Sequence, residues 1–241
     1  MHAIDVVFKA SFDKANRSSG GSFRGPGMQE GLEILAMVRQ VSGLPVLTDV
    51  HECHQVETAA QIVDVIQIPA FLCRQTDLVQ QCAAMARRYD RTVNVKKGQF
   101  MAASEMAGVR DKLRTAGANS IWLTERGNSF GYHDLVVDFR NIPRLKMLGC
   151  EVFLDATHAI QKPGALGRHS GGSPEFIESI ALAGAAVGVD GLFLEVHPTP
   201  QEGLSDASTM LDLAQLSPLI AKTCRIRLAL QDTIQACRAE Y

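Results

Sequence analysis

Residues 64–97 read DVIQIPAFLCRQTDLVQQCAAMARRYDRTVNVKK and carry the clearest evidence of how the chain folds. The segments 64–69 and 91–97 are short, apolar and β-branched, which is typical of buried strands. Between them, residues 76–88 repeat apolar side chains at helical spacing, with Leu78 on the apolar face. A strand, a helix and a second strand in this order predict two parallel strands joined by a covering helix.

The same alternation extends over the rest of the chain. Strand patterns are found at 3–10, 45–50, 64–69, 91–97, 120–125, 151–157 and 191–197. Helical patterns are found at 28–41, 76–88, 174–187 and 216–241. We predict one α/β domain over residues 1–241, because no linker or change of composition divides it. Seven strands are one fewer than a (β/α)8 TIM-type barrel contains, and they also fit an open doubly wound sheet. No GxGxxG turn follows a strand, which favours the barrel.

The composition excludes several classes of protein. With 46% apolar and 21% charged residues among 241, the chain is globular rather than disordered. Its net charge of −2 argues against a nucleic-acid partner. No apolar run approaches the roughly 18 residues of a membrane span, and residues 1–12 do not read as a signal peptide. Six scattered cysteines are typical of reduced thiols in a cytoplasmic protein.

Nearly every predicted strand ends in a charged or hydrogen-bonding residue. These residues are Lys9, Asp49, Gln67, Lys96, Arg126, His158 and Glu195. In a barrel, such ends converge on one mouth, where active sites are built. Polar surface loops alone would account for part of the pattern, but not for Lys9 and Lys96 inside apolar runs.

Cations are concentrated near these strand ends. They are Lys9, Lys14 and Arg17 in the segment KASFDKANRSS (9–19), then Lys96, Lys97 and Arg126. Taken alone, the segment 9–19 also fits a solvated basic loop. Five or more cations at one mouth, in a chain with no net positive charge, predict a strongly anionic ligand with two phosphates, or with a phosphate and a carboxylate.

One imidazole and two carboxylates form a candidate metal site. His158, Glu195 and Asp206 offer the ligands that divalent transition metals take, although their spacing matches no short metal motif. The residues alone slightly favour a hydrogen-bonded site without metal. His51, Cys53 and His54 also resemble ligands, but their position after a strand favours an ordinary helix start. The glycines of 171–172 fit either a phosphate cradle or a plain turn.

Long segments of the chain resemble a known enzyme family. The segments are KASFDKANRSS (9–19), RGPG (24–27), DVIQIPAFLCRQTDL (64–78), VNVKKGQF (93–100), TERGNSFGYHDLVVDFR (124–140), DATHAIQ (155–161), SGGSPEF (170–176) and GLFLEVHPTP (191–200). In this order they are similar to the 3-deoxy-D-manno-octulosonate 8-phosphate synthases, also called 2-dehydro-3-deoxyphosphooctonate aldolases. The resemblance implies a cytoplasmic, homotetrameric (β/α)8 barrel. It also implies a transferase that condenses phosphoenolpyruvate with D-arabinose 5-phosphate and water, releases phosphate, and supplies lipopolysaccharide (KDO) synthesis.

The resemblance assigns expected roles to individual residues. The expected phosphoenolpyruvate ligands are Lys9, Lys14, Gln67, Lys96 and Arg126. The expected arabinose 5-phosphate ligands are Asn16, Arg17 and Ser18, with Asp49 near the hydroxyls and Arg74 reaching the sugar phosphate of a neighbouring subunit. The expected catalytic residues are Lys14, Asn16, Asp49 and His158. Lys14 lies between the two substrates and is the expected general acid for the aldehyde oxygen.

The resemblance also bears on the metal. The family has metal-dependent and metal-independent branches, and the segment LSDAS (204–208) is similar to the former. It implies that His158, Glu195 and Asp206 bind Zn²⁺, Fe²⁺ or Mn²⁺, with a cysteine on the first barrel strand as the fourth ligand. The chain starts at what would be the second barrel strand. We therefore expect the first strand and its cysteine to be missing, and we expect this form to be weakly active or inactive.

Three alternatives stay open. The related 3-deoxy-D-arabino-heptulosonate 7-phosphate synthases carry a KPRTS-type segment where this chain has KANRS (14–18), and Asn16 disfavours them. A truncated, inactive barrel would fit the missing strand. A sugar-phosphate binding module would keep the cations but would not need Lys14, His158 and Asp206 together.

Overall fold

A computed structural model describes residues 4–16, 21, 23–164 and 171–239, with only the helical backbone given for residues 231–239. The chain divides into two compact units. The first consists of the described residues up to Thr124 together with Met147–Glu151, and the second consists of Glu125–Lys146 and the described residues from Val152 onward. The single domain over residues 1–241 stays a prediction.

The first unit is a succession of parallel strands and helices. Its elements are β1 (Phe8–Lys9), α1 (Met28–Ser42), β2 (Val46–Asp49), α2 (Cys53–Ile62), β3 (Val65–Ile68), α3 (Thr76–Tyr89), β4 (Thr92–Lys96), α4 (Met106–Thr115) and β5 (Ser120–Glu125). Each strand pairs in parallel with the next one along the chain. The first five predicted strands and the helices predicted at 28–41 and 76–88 are therefore confirmed. The strand pattern at 3–10 is too long, because only Phe8 and Lys9 pair with a neighbour.

The two faces of this sheet differ in chemistry. Successive side chains of a strand point to opposite faces, and the register places Asp49 opposite Gln67 and Gln67 opposite Asn94. One face is apolar and carries Val46, Ile66, Ile68, Val93, Val95 and Leu123, all fully buried. The other face carries Lys9, Asp49, Gln67, Asn94, Lys96 and Thr124. The sheet therefore buries its apolar face and collects polar groups on the opposite one.

The second unit contains shorter strands. Its elements are β6 (Asn128–Gly131), β7 (Asp134–Val136), α5 (Asn141–Lys146), β8 (Glu151–Asp155), β9 (Gln161–Lys162), β10 (Gly171–Gly172), α6 (Ile177–Val187), β11 (Gly191–Phe193), β12 (Val196–His197), β13 (Leu211–Asp212) and α7 (Leu213–Ala239). β8 pairs in parallel with β11, and β12 with β13, whereas β6–β7 and β9–β10 are antiparallel.

Three expectations for this unit need correction. The strand pattern at 191–197 is two strands, because β11 pairs with β8 whereas β12 pairs with β13. At the change of partner, Leu211 N donates to the carbonyl of Glu195 at 2.9 Å. The helix pattern at 174–187 begins with a 3₁₀ turn at Pro174–Phe176, before α6. The glycines of β10 form a short strand rather than a turn, and an added Cβ on Gly172 would lie 2.7 Å from Ser208 O.

Strands that alternate with helices and pair in parallel confirm the α/β class. Closure into an eight-stranded barrel and the absence of a first strand stay predictions. Within the described ranges, no helix is both long and apolar enough to cross a membrane.

Candidate active site

Asp49, at the end of β2, is the centre of a hydrogen-bonded cluster in the first unit. Lys9 Nζ donates to Ser11 Oγ at 2.6 Å, and the Ser11 hydroxyl donates to Asp49 Oδ1 at 2.6 Å. Lys9 Nζ lies 3.2 Å from the same carboxylate oxygen. His51 Nε2 lies 2.9 Å from Asp49 Oδ2. The Asp49 side chain is only 11% exposed, so these partners replace the water around its carboxylate.

The surroundings of Asp49 fix its charge. Burial by itself would raise the pKa of this carboxyl, but the positive charge of Lys9 and the hydrogen bonds from His51 and Ser11 outweigh it. The pKa of Asp49 therefore lies well below its ordinary value. Asp49 is a permanent acceptor at neutral pH, suited to bind a hydroxyl and unsuited to donate a proton.

Gln67 and Lys96 lie on the same face of the sheet and are 3% and 5% exposed. A hydrogen-bonded row fixes the Gln67 amide, because Thr124 Oγ1 donates to Asn94 Oδ1 at 2.7 Å and Asn94 Nδ2 donates to Gln67 Oε1 at 3.1 Å. With its oxygen directed at Asn94, Gln67 has its N–H groups available to an anionic oxygen.

Lys97 does not join these cations. It is fully buried, and its Nζ donates to the carbonyls of Gly98 and Met101 at 3.2 Å each. Its ammonium therefore supports the turn after β4, and the expectation that Lys97 adds to a cationic mouth is wrong.

The segment that carries Lys14 and Asn16 is held through Phe12. Phe12 is 1% exposed, and an added Cβ on Gly25 would lie 2.5 Å from its carbonyl oxygen. Asp13 forms a two-point ion pair with Arg24, whose guanidinium lowers the pKa of Asp13. Lys14 is partly buried and Asn16 is exposed.

Of three other predicted substrate residues, only Arg74 lies within the part of the chain that the structure describes. Arg17 and Ser18 lie outside the described residues. Arg74 is exposed just before α3, as a contact to a neighbouring subunit requires, and that contact stays a prediction.

Arg126 is the buried cation of the second unit. Its Nη2 donates to His158 O at 3.3 Å and to Gln161 Oε1 at 2.8 Å. Its Nε is buried and has no hydrogen-bond partner among the described residues. Burial lowers the pKa of Arg126, although the carboxylates of Asp155, Asp206 and Glu125 oppose the shift, and a guanidinium stays charged at neutral pH. A buried, charged N–H without a partner is suited to an anionic ligand.

Glu125 holds the backbone around Arg126 in place. Its carboxylate is fully buried and accepts from Arg126 N at 2.9 Å, from Gly127 N at 2.7 Å and from Asn141 Nδ2 at 3.0 Å. Three donors on one carboxylate fix the turn that follows β5.

The three candidate metal ligands lie together in the second unit. One ligand atom from each of His158, Glu195 and Asp206 lies within 4.8 Å of the other two. His158 Nε2 is 3.1 Å from Glu195 Oε2. Among the described residues, no other group of three His, Cys, Asp or Glu side chains meets this criterion. The alternative set His51, Cys53 and His54 is therefore not assembled, and Cys53 and His54 are exposed.

Asp155 orients the imidazole for this site. Its carboxylate is fully buried, lies 2.9 Å from His158 Nδ1 and accepts from His158 N at 2.9 Å. A carboxylate on one ring nitrogen, with the other nitrogen 3.1 Å from the carboxylate of Glu195, is typical of a metal-binding histidine. Nitrogen and carboxylate donors suit Zn²⁺, Fe²⁺ or Mn²⁺, so the residues present fit such an ion.

Several functional residues were missed by the sequence reasoning. Asp155 could have been found, because it precedes His158 by three residues in DATH (155–158). Ser11 and His51 each lie two residues from a predicted site residue, but nothing in the sequence shows that they meet Asp49. Asn94 and Gln161 depend on strand register and loop course, which no sequence pattern gives.

The chain is similar to proteins of one known family. The sequence model of the DAHP synthetase I family matches residues 1–227. A Synechococcus protein named 2-dehydro-3-deoxyphosphooctonate aldolase is 53% identical over 233 residues, which cover 97% of this chain and 81% of the relative. Proteins of the same name from a Cyanothece species and from Geobacter sulfurreducens are 51% and 50% identical, covering 94% and 91% of this chain and 82% and 79% of theirs. The chain therefore belongs to the DAHP synthetase I family.

Proposed function

We propose that this chain is a transferase that condenses phosphoenolpyruvate with D-arabinose 5-phosphate and water to 3-deoxy-D-manno-octulosonate 8-phosphate and phosphate. Relatives about half identical over most of the chain carry the name of this enzyme. The geometric observation that carries the proposal is the polar sheet face with Lys9, Asp49, Gln67 and Lys96. Burying the ammonium group of Lys96, an amide and a carboxylate beside the partly buried Lys9 is costly for a sheet, and it suits a site for anionic, hydroxylated substrates.

Phosphoenolpyruvate carries a phosphate and a carboxylate, so it needs several donors. In this proposal Lys9, Lys14, Gln67, Lys96 and Arg126 hold it. The low exposure of Gln67, Lys96 and Arg126 supports this assignment, because charged hydrogen bonds strengthen where water is excluded. The Arg126 Nε offers a donor that no described residue uses.

Arabinose 5-phosphate brings hydroxyls, an aldehyde and a second phosphate. In this proposal Asn16, Arg17 and Ser18 hold it, and Asp49 accepts from its hydroxyls, which its depressed pKa supports. Lys14 gives a proton to the aldehyde oxygen as the new carbon–carbon bond forms. Arg74 of a neighbouring subunit binds the sugar phosphate, so the working form is a homotetramer.

His158, Glu195 and Asp206 would hold a divalent metal ion, with Asp155 keeping Nε2 of the imidazole toward the carboxylates. The ion would supply Lewis-acid chemistry to a bound oxygen. A cytoplasmic location and a role in lipopolysaccharide synthesis accompany this proposal.

The family description keeps one other substrate under consideration. A 3-deoxy-D-arabino-heptulosonate 7-phosphate synthase would use erythrose 4-phosphate, and the matched DAHP synthetase I family is compatible with it. Asn16 and the names of the relatives favour arabinose 5-phosphate.

The test is phosphate release by the purified 241-residue chain. Phosphoenolpyruvate is supplied with arabinose 5-phosphate or with erythrose 4-phosphate, each with EDTA and with added Mn²⁺. We expect weak release with arabinose 5-phosphate, which Mn²⁺ supports and EDTA abolishes. Faster phosphate release with erythrose 4-phosphate would show that the chain is a 3-deoxy-D-arabino-heptulosonate 7-phosphate synthase instead. Phosphate release that EDTA does not reduce would refute the metal requirement but not the reaction. No release with either sugar would contradict the proposed activity.

A further inference from the structure

Gln161, the first residue of β9, connects two parts of the candidate site that have separate expected ligands. Its Oε1 accepts from Arg126 Nη2 at 2.8 Å, and its Nε2 donates to Asp206 Oδ1 at 3.1 Å. Arg126 is an expected phosphoenolpyruvate ligand, and Asp206 is an expected metal ligand. A single side-chain amide therefore lies between the anion-binding arginine and a metal-binding carboxylate.

The orientation of this amide is determined by its partners. A guanidinium has only donors, and an ionised carboxylate has only acceptors. The Gln161 oxygen must therefore face Arg126, and its nitrogen must face Asp206. Turning the amide over would place two donors against each other on one side and two acceptors on the other.

The backbone holds Gln161 and Asp206 at a fixed separation. Gln161 pairs with Gly172 of β10, and Gly172 packs so closely on Thr209 that an added Cβ would overlap its methyl group. Thr209 in turn bonds Asp206 O through both its N, at 2.8 Å, and its Oγ1, at 3.0 Å. Asp206 adopts a left-handed backbone conformation with φ of 51°, which is uncommon outside glycine and is kept here by these contacts.

We propose that Gln161 is a positioning residue that couples phosphoenolpyruvate binding at Arg126 to metal binding at Asp206. An anion that binds the Arg126 Nε, which has no hydrogen-bond partner among the described residues, fixes the rigid guanidinium. The guanidinium in turn fixes the Gln161 amide and the Asp206 carboxylate. A metal ion on Asp206 orders the same three side chains, Asp206, Gln161 and Arg126, starting from Asp206. Each ligand therefore raises the affinity of the chain for the other ligand. By linkage, phosphoenolpyruvate raises the metal affinity by the same factor by which the metal raises the phosphoenolpyruvate affinity.

The proposal rests on the proposed function, and its test uses binding rather than turnover. Mn²⁺ affinity of the metal-free full chain is measured by the electron spin resonance of free Mn²⁺, with and without phosphoenolpyruvate. The variants are Gln161→Met, which keeps the length but removes both contacts, and Gln161→Asn, whose amide is one methylene too short to reach both partners. Gln29→Met is the matched control, because among the described residues the Gln29 side chain bonds Glu33 alone, on the surface of α1.

We expect phosphoenolpyruvate to raise the Mn²⁺ affinity of the wild type and of Q29M at least threefold. Both Gln161 variants should bind Mn²⁺ about tenfold more weakly, as typical for loss of a partner of a metal ligand, and the effect of phosphoenolpyruvate should disappear. Unchanged affinity and coupling in both Gln161 variants would overturn the proposal, and so would a wild type without coupling or without Mn²⁺ binding. If the wild type does not bind Mn²⁺, the phosphate-release assay with EDTA still tests the proposed activity. Failure of the Gln161 proposal is therefore distinguishable from failure of the proposed function.

Discussion

Single residues in this chain are defined by the partners that surround them. Asp49 and Asp155 are both buried carboxylates, yet one is charge-paired with Lys9 while the other orients an imidazole. Sequence reasoning identified Asp49 because it ends a strand, and it missed Asp155 although that residue ends a strand too. The difference is that the predicted strand at 151–157 extended past Asp155, so only its place three residues before His158 in DATH (155–158) pointed to it.

The Lys9–Asp49 pair predicts a pH-dependent stability difference. Asp49 has a depressed pKa in the folded chain, so its charge stabilises the fold above the unfolded-state pKa of about 3.9, and this contribution is lost as pH falls through the folded pKa. Replacing Lys9 by Met should lower the free energy of unfolding by about 2 kcal/mol at pH 7. At pH 3 the difference should narrow, because the wild type has begun to lose the same contribution.

Urea unfolding of wild type and K9M at both pH values measures this difference. Lys222→Met is the control, because it breaks a surface pair with the half-exposed Glu178 and should change stability little. A K9M penalty that stays constant between pH 7 and pH 3 would show that Lys9 stabilises through packing rather than through its charge.

Within the first unit, strands were easier to predict than helices. Its five strands β1–β5 coincide with apolar, β-branched runs, whereas its helices α2 and α4 were not predicted. α2 carries Val56, Ala59 and Ala60 as its only buried residues, so its apolar stripe is narrow. The prediction of one strand at 191–197 was wrong, because a period of two does not show a change of pairing partner. Before Glu195 the chain pairs with β8, and after it the chain pairs with β13.

The packing of α1 on the segment before it gives a prediction about a glycine. Gly31 lies in α1, and an added Cβ would overlap Phe12 Cβ and lie 3.0 Å from Phe12 Cα. Gly31→Ala should destabilise the chain by about 1–3 kcal/mol, because backbone must move. It should also raise the KM for arabinose 5-phosphate, since Phe12 anchors the segment with Lys14 and Asn16.

Gly108→Ala in α4 is the matched control for this substitution. An added Cβ on Gly108 meets nothing within 4 Å, so alanine should stabilise the helix by about 0.5–1 kcal/mol without affecting KM. Thermal unfolding and steady-state kinetics of both variants measure these effects. Equal stability changes at the two positions would mean that the close contact with Phe12 does not require a glycine at position 31.

For the whole molecule, the sequence predicted the α/β class, and it also named Lys9 with Asp49, and His158 with Glu195 and Asp206, as neighbours. Polar residues at strand ends were informative because parallel strands end on the same side of their sheet. The hydrogen bonds within each cluster could not be predicted, because they depend on register and on loops without periodicity. Gln161, which bridges Arg126 and Asp206, is the clearest case.

The proposed reaction predicts a fixed stoichiometry for the intact chain. Phosphorus and proton magnetic resonance can follow one mixture of phosphoenolpyruvate, arabinose 5-phosphate, Mn²⁺ and the 241-residue protein. The account predicts that each phosphoenolpyruvate consumed removes one arabinose 5-phosphate, releases one inorganic phosphate and produces one eight-carbon sugar-acid phosphate. Phosphate release with arabinose 5-phosphate left unchanged, or no consumption of phosphoenolpyruvate, would contradict it.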